Sequence, residues 1–404
     1  MNICIAGKND IAVEILLYIL DEKIKKDNIY IIPNETDNGK NGWQRSLLKK
    51  AKELKIKIVT LEEVYNINNL LFLSLEFDKI INPRRFKTDC LFNIHFSLLP
   101  KYRGMFTSIM PILNNEKFTG VTFHKIDKSI DTGLIIEQCK FRIETMDNSR
   151  DLYHKYIENA IIVVKNNINK LLNGENLDGF SQNFLESSYF SKNAIDFSNI
   201  KIDLNQTVIN IHNQIRAFNF REYQVPKVFN HRIISSKILN SSSNKKPGEI
   251  IFENDICYVL SSIDKDIVIY KDRVQDLFLA CENGSFELVN RLVQIPKIIN
   301  TQNINGWTPL IVAIFNNNKD IVKTLLTSGA DINISSFKGT TTLMYAKSAY
   351  LQHHDDEIIK LLLDLDIDVF KTDYANKNVL DYCIENNEKE VLKIIEKNIK
   401  GIYK

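Results

Sequence analysis

Apolar and polar positions set the first landmark: Asn2 to Ala6 is a short apolar run that stops at Gly7, and an amphipathic stretch follows from Ile11 to Leu20. That order predicts a strand, a turn and a helix. Further apolar runs stand at Ile29 to Ile32, Ile56 to Val59, Lys79 to Ile81 and Cys90 to Ile94, separated by helix-like segments such as Ser46 to Leu54. Strands alternating with helices predict an α/β layer on a mostly parallel sheet. From Asp151 to Leu172, the apolar positions Leu152, Tyr156, Ile157, Ala160, Val163, Val164, Ile168 and Leu171 fall near helical spacing, and Asn173-Gly174 ends them. One long helix is predicted there, packed on the sheet or closing the domain.

After Lys201 the texture changes. A helical segment from Val208 to Phe218 leads into short β-like runs at Lys227 to Phe229, Ile233 to Leu239, Glu249 to Phe252 and Ile256 to Leu260. The polar stretch from Asn240 to Gly248 predicts an exposed loop between two of these strands. Beyond Lys271 the chain repeats itself. Leu277, Leu310, Leu343 and Leu380 head tetrads that close at Ala280, Ala313, Ala346 and Cys383, and they recur after 33, 33 and 37 residues. This period resembles that of the ankyrin repeat, a turn and two helices per copy. The fullest copy is Asn305-Gly306-Trp307-Thr308-Pro309-Leu310, followed by Asp320 to Asn333. The third copy keeps Gly339 and Thr341 but gains four residues near His353 to Asp356, and the fourth lacks the glycine and the Thr-Pro pair.

Composition narrows the function classes. A chain of 404 residues has room for more than one domain, and 44% hydrophobic with 25% charged residues is ordinary for a globular protein, which excludes disorder throughout. Lys and Arg number 52 against 50 Asp and Glu, so affinity resting on many phosphate contacts is not expected and no nucleic-acid partner is predicted. A local basic patch stays open. No stretch approaches the ~18 consecutive apolar residues of a membrane span, and Met1 to Gly7 runs straight into Lys8, Asn9 and Asp10 without a cleavage pattern. A soluble, cytoplasmic protein with no membrane partner is expected. Six scattered cysteines without a C-x-x-C pair, and seven histidines without H-E-x-x-H spacing, predict reduced structural thiols and no metal.

The chemistry concentrates in one run, Asn93-Ile94-His95-Phe96-Ser97-Leu98-Leu99-Pro100-Lys101-Tyr102-Arg103-Gly104, with Asp131-Thr132-Gly133 downstream. Attack of an amine on a carbonyl carbon needs support for the oxygen as it turns negative and removal of a proton from nitrogen. Asn, His and Asp supply these functions. At i and i+2 on a strand, Asn93 and His95 project to one side, and Asp131 can accept from the imidazole and fix its orientation. The two motifs together resemble the formyltransferases that use 10-formyltetrahydrofolate, over residues 1 to 190. The resemblance implies Asn93 as oxyanion donor, His95 as acid/base and Asp131 as its orienting partner. It also implies a folate pocket beside Phe77, Asp78, Lys79, Ile80 and Asn82, and near Asp131. Phe96 departs from the small residue or proline common in relatives and would narrow the substrate pocket.

Three branches of that family differ in the amine they formylate: methionyl-tRNA, glycinamide ribonucleotide, and nucleotide-linked amino sugars. The near-zero net charge weakens the first, and the second is usually a shorter, single-domain enzyme. Asn41 to Leu47 and Ile215 to Pro226 resemble segments of bacterial sugar N-formyltransferases, which favours a dTDP-linked amino-dideoxyhexose with the amine on carbon 3 or carbon 4, for surface polysaccharide synthesis. Phe220 and Tyr223 would sandwich the thymine; Lys8, Trp43, Gln44 and Arg103 would line the phosphate and sugar path. The expected fold is a Rossmann-like formyltransferase core with a mixed, mostly parallel sheet (1–199), a small strand-rich domain for dimerisation or substrate (200–270), and an all-α ankyrin solenoid of four repeats (271–404). A homodimer is expected. The repeats would bind a protein partner, support the architecture, or hold a second small ligand with Trp307 stacking on it. An ankyrin scaffold carrying an inactive transferase relic is the alternative of a different class.

Overall fold

In β1 (Asn2–Gly7), Ile3 and Ile5 join one buried cluster with Ile11, Ile15 and Val164, whereas Cys4 and Ala6 join another with Phe72, Val59 and Leu91. Both faces of the strand are therefore covered, as parallel sheets require. β2 (Ile29–Pro33), β3 (Lys57–Ile58), β4 (Leu70–Leu75) and β5 (Leu91–His95) extend the sheet in parallel. Outside it stands β6 (Arg103–Gly104), and then β7 (Phe118–Lys125) and β8 (Ile135–Arg142) return as antiparallel strands. The order across the sheet is β3-β2-β1-β4-β5-β7-β8. The computed structural model describes residues 1–365 and 367–402; Asp366, in the third expected repeat, and Tyr403 and Lys404, at the end of the fourth, lie outside the described residues.

Strands β2 and β3 lie on one side of β1, and β4 and β5 on the other. The connection reverses between them, and in open α/β sheets the crevice at the carboxyl ends of such strands receives ligands. Gly7 marks this place: a Cβ there would stand 1.9 Å from the carbonyl oxygen of Leu75 on the adjacent strand. Only glycine lets the two strand ends approach so closely.

Sequence periodicity misplaced one strand. Residues 77–82 form a loop, not the expected strand at Lys79 to Ile81, and β4 precedes it as Leu-Leu-Phe-Leu-Ser-Leu with all six residues buried. A fully buried parallel strand carries no alternation to distinguish it from a short buried helix. The helices follow their local signals more closely. α1 (Asn9–Asp21), α2 (Leu47–Leu54), α3 (Leu61–Val64) and α4 (Met110–Leu113) are followed by α5 (Ser149–Leu172), which buries Leu152, Tyr156, Ala160 and Val164. Asn148 caps α5 by accepting from the Asp151 N–H, and Asp151 accepts from the Asn148 N–H in return.

By compactness the chain divides at Val228. The first unit closes with β9 (Tyr189–Phe190), which pairs in parallel with β6, then α6 (Val208–Ala217) packed near α4, and the short β10 (Lys227–Val228). The second unit begins with the antiparallel strands β11 (His231–Ile238), β12 (Ile250–Glu253), β13 (Cys257–Ser261) and β14 (Asp266–Lys271), ordered β11-β14-β13-β12. β14 was not expected from the sequence. Four helix pairs follow among the described residues: α7 (Val274–Asn283) with α8 (Phe286–Leu292), α9 (Pro309–Phe315) with α10 (Lys319–Thr327), α11 (Thr342–His353) with α12 (Glu357–Asp364), and α13 (Val379–Glu385) with α14 (Lys389–Ile402).

Leu277, Leu310 and Leu343, which set the period, are buried in one continuous cluster running from Val274 to Ile395. The four residues gained by the third copy lengthen its first helix, which ends where His354 turns left-handed at φ 53°. Lys319 on α10 pairs with Asp355 and Glu357 next to this insertion. No helix among the described residues is long and apolar enough to cross a membrane.

Candidate active site

Asn93 and His95 project from β5, His124 projects from β7, and Asp131 lies in the turn between β7 and β8. All four line a cavity of about 580 Å³, a size suited to a small-molecule ligand. The structure thus brings together the three catalytic candidates read from sequence. His95 Nε2 lies 2.8 Å from the carbonyl oxygen of Tyr102; a carbonyl can only accept, so this nitrogen carries a proton. Nδ1 then faces Asp131 Oδ2 at 3.5 Å, close enough for an ion pair and longer than a hydrogen bond.

Asp131 is held on every side. It adopts a left-handed backbone at φ 54°, and its Oδ2 accepts the Gly104 N–H at 2.9 Å. Burial would push its carboxyl up, but the His95 ring and the Gly104 N–H prevail and hold it well below the usual carboxylate range. It stays ionised at neutral pH. Gln182 donates to the carbonyls of Asp131 and Gly133 at 2.9 and 2.8 Å, and Arg103 donates to Gln182 Oε1 at 2.6 and 3.2 Å. Arg103 is buried, lies over the Phe184 ring at 5.0 Å and does not line the cavity. Where sequence reading put it on the phosphate and sugar path, the structure makes it a brace for the Asp131 turn.

The folate candidates Phe77, Asp78, Lys79 and Ile80 line the same cavity with Ile81 and Ile126. Asn82 does not; its side chain accepts from the Arg84 N–H and caps the turn Pro83–Arg85. Apolar side chains beside carboxylates and exposed backbone suit a flat heteroaromatic ring with several N–H donors, so the residues present fit a folate. Among the described residues no group of three or more His, Cys, Asp or Glu could hold a metal ion.

Lys8 lines the same cavity. Trp43, Phe220 and Tyr223 cluster around Tyr153: Trp43 meets Tyr153, Phe220 and Tyr223 edge-on or tilted at 5.4 to 5.8 Å, and Phe220 meets Tyr223 at 4.8 Å. Phe220 is buried, whereas Tyr223 is 64% exposed, so only the second offers a free ring face. Gln44 is buried, and its carbonyl oxygen accepts the Asp10 N–H at the start of α1. Phe96 lines the cavity and stacks on Tyr156 at 5.3 Å.

Three residues escaped the sequence reading. Glu76 lines the cavity and accepts from Tyr153 Oη and Asn9 Nδ2; burial pushes its carboxyl up. Gln182 gives no local signal at all. His124 does: it follows Val121 and Phe123, which face the core, so alternation puts it on the opposite face with Thr122.

In the second unit, Trp307 borders a pocket of about 240 Å³ with Phe278, Leu279, Glu282, Phe315 and Tyr345. Its indole N–H donates to Tyr345 Oη at 2.6 Å, and its ring stacks near Phe315 at 6.4 Å.

An amide, an imidazole and a carboxylate converge on one cavity at the switch point of a mostly parallel sheet, a set of groups compatible with transfer at a carbonyl carbon. The family model Formyl transferase matches residues 71–166, its C-terminal domain matches 195–288, and Ankyrin repeats (3 copies) matches 253–336. The crystal structure of the N-formyltransferase from Helicobacter canadensis, in complex with folinic acid and dTDP-3-aminofucose, is 46% identical, covers 67% of this chain and 99% of its own, and superposes with a TM-score of 0.64. WlaRD, a sugar 3N-formyl transferase crystallised with dTDP and 5-N-formyl-THF, is 47% identical, with 67% and 98% covered and the same TM-score. This chain belongs to the formyltransferase family and carries ankyrin repeats in addition. The bifunctional polymyxin resistance protein ArnA of Wigglesworthia glossinidia brevipalpis is 29% identical over 366 residues, 84% of this chain and 46% of that protein, so the chain spans less than half of it. GDP-perosamine N-formyltransferase of Brucella abortus is 29% identical over 203 residues, 49% of this chain and 76% of that one.

Proposed function

We propose that this protein transfers the formyl group of 10-formyltetrahydrofolate to the amine of a dTDP-linked amino-dideoxyhexose, with the 3-amino-3,6-dideoxyhexose favoured over the 4-amino sugar, as a step toward a surface polysaccharide such as O-antigen. The observation that carries this reading is the convergence of Asn93, His95 and Asp131 on one cavity. The substrate is supported by the ligands of the two relatives at 46 and 47% identity. In the transfer, the amine nitrogen bonds to the formyl carbon, the bond from that carbon to folate N10 breaks, the amine loses a proton and N10 gains one. The bound folate supplies the activated formyl carbon.

Asn93 donates an N–H to the formyl oxygen as negative charge develops there. His95 takes and returns the proton at Nδ1, since its Nε2–H is committed to the Tyr102 carbonyl. Asp131, ionised and adjacent, steadies the resulting imidazolium. Phe77, Asp78, Lys79 and Ile80 flank the folate, while Tyr223, Trp43 and Lys8 serve the nucleotide sugar.

The reading takes 1–199 as the catalytic domain, 200–270 as the segment for dimerisation or substrate, and 271–404 as repeats that recruit a protein partner, with a homodimer in the cytoplasm. The aromatic pocket at Trp307 favours a second use of the repeats, as a small-ligand site. Calorimetry separates them: two nucleotide-sugar sites per chain support a ligand at Trp307, and one site lost in Tyr223→Ala supports the first. Turnover is tested by mixing protein, 10-formyltetrahydrofolate and dTDP-amino sugars and following product mass. No mass gain with any dTDP-3-amino or dTDP-4-amino sugar removes the substrate assignment.

A further inference from the structure

His124 stands directly opposite Asn93 in the antiparallel register of β5 and β7, and it is buried. Its Nδ1 lies 2.8 Å from the carbonyl oxygen of Lys125 and must donate there, which leaves Nε2 of the neutral ring as an acceptor. Asn93 Nδ2 lies 3.0 Å from that Nε2 and gives it one of its two N–H groups. Asp131 Oδ1 is 3.6 Å from the same nitrogen, outside hydrogen-bond range. A reversed Asn93 amide would set its carbonyl oxygen against the Nε2 lone pair, so the Lys125 carbonyl, acting through the tautomer of His124, decides which end of the amide is which.

We infer that His124 is a positioning residue for formyl transfer: it holds the Asn93 carboxamide so that the second N–H remains for the formyl oxygen. The inference rests on the assignment of Asn93 as oxyanion donor. His124 itself touches no reacting atom; it acts through Asn93. Its effect therefore belongs to the transition state, where the oxygen carries charge, and not to the binding of either substrate.

The test measures kcat and KM for His124→Phe, His124→Gln and His124→Asn, each alone and with Asn93→Ala, using 10-formyltetrahydrofolate and the dTDP-amino sugar turned over by the unaltered protein. Phe keeps a ring without an acceptor, Gln keeps an acceptor near the place of Nε2, and Asn keeps a donor for the Lys125 carbonyl but is too short to reach Asn93. We expect His124→Phe to lower kcat about 10- to 100-fold with KM for both substrates within about threefold, and His124→Gln to restore most of the loss. In the Asn93→Ala background the same change should cost less than about twofold, because the group it positions is gone. Equal losses in both backgrounds, a change in KM alone, or an unchanged kcat in His124→Phe would overturn the inference while leaving formyl transfer standing. Should the Phe variant fail to fold, His124→Asn carries the same comparison. Absence of turnover in the unaltered protein with every amino sugar would bring down the functional reading and this inference together.

Discussion

The helix starts of the repeats and the residues around Asp131 differ in how many side chains can do one job. Thr308 and Thr341 cap their helices by accepting from the N–H three residues on, and in the fourth repeat Asn378 does the same for Leu380 and Asp381. The preceding turn is made by Gly306 at φ 78° and Gly339 at φ 81°, and then by Asn376 at φ 59°. Asparagine tolerates the left-handed region better than other side chains, so the apparently degenerate fourth copy folds like the others. Around Asp131, by contrast, one carboxylate oxygen faces His95 and accepts from Gly104, while the other faces His124. No second residue type offers two acceptor oxygens and a negative charge at that length. Repeats are specified locally and tolerate substitution; the cavity is specified by partners distant in sequence and does not.

That contrast can be broken or sharpened by mutation. The largest effect is expected at His95→Ala, which should lower kcat by about 100- to 10,000-fold with folding unchanged, measured by product mass over time. Undiminished turnover would refute the mechanism. Gly306→Ala comes next. A Cβ there would stand 2.3 Å from the backbone nitrogen of Phe337 at a left-handed φ, so the variant should lose roughly 2–3 kcal/mol, read as an earlier urea midpoint. Asp131→Asn tests the charge. A carboxyl held below its unfolded pKa of about 3.9 adds stability that is present above that pH and is lost as pH falls through the lower folded value. The cost of Asp131→Asn should therefore be greatest near neutrality and shrink as the pH drops below about 4; a difference constant from pH 7 to pH 3 would show that the charge is not the cause. The cap variant Thr308→Ala should cost about 1 kcal/mol, and Asn376→Gly should stay within about 0.5 kcal/mol of the unaltered protein, both by denaturant titration. A large loss at Asn376→Gly would mean that the fourth turn depends on the asparagine side chain and not on its backbone alone.

Much of the molecule was legible in the chain, for identifiable reasons. The helix from 149 to 172 declared itself by periodic apolar positions and the Asn173-Gly174 stop, and the repeats by their period, because each signal lies within or next to the span of residues that forms the element. Asn93, His95 and Asp131 stood out as a motif. β4 was missed because a strand buried on both faces shows no alternation, and Glu76, at its end, was missed with it. His124 and Gln182 carry no motif; their partners Asn93 and Asp131 are 31 and 51 residues away. Arg103 sits inside the motif, yet its guanidinium turns to Gln182.

Read alone, the amino-acid order determined the class of fold, the repeat architecture and which side chains have the chemistry for formyl transfer, because backbone preference, apolar period and functional-group type are properties of neighbouring residues. Only the tertiary structure decided which polar groups meet: that His95 commits one nitrogen to Tyr102, that Arg103 braces a turn through Gln182, and that His124 meets Asn93 across two strands. Hydrogen bonds reach about 3 Å and depend on direction, so they are settled by sheet register and chain crossing, which no local stretch of residues encodes.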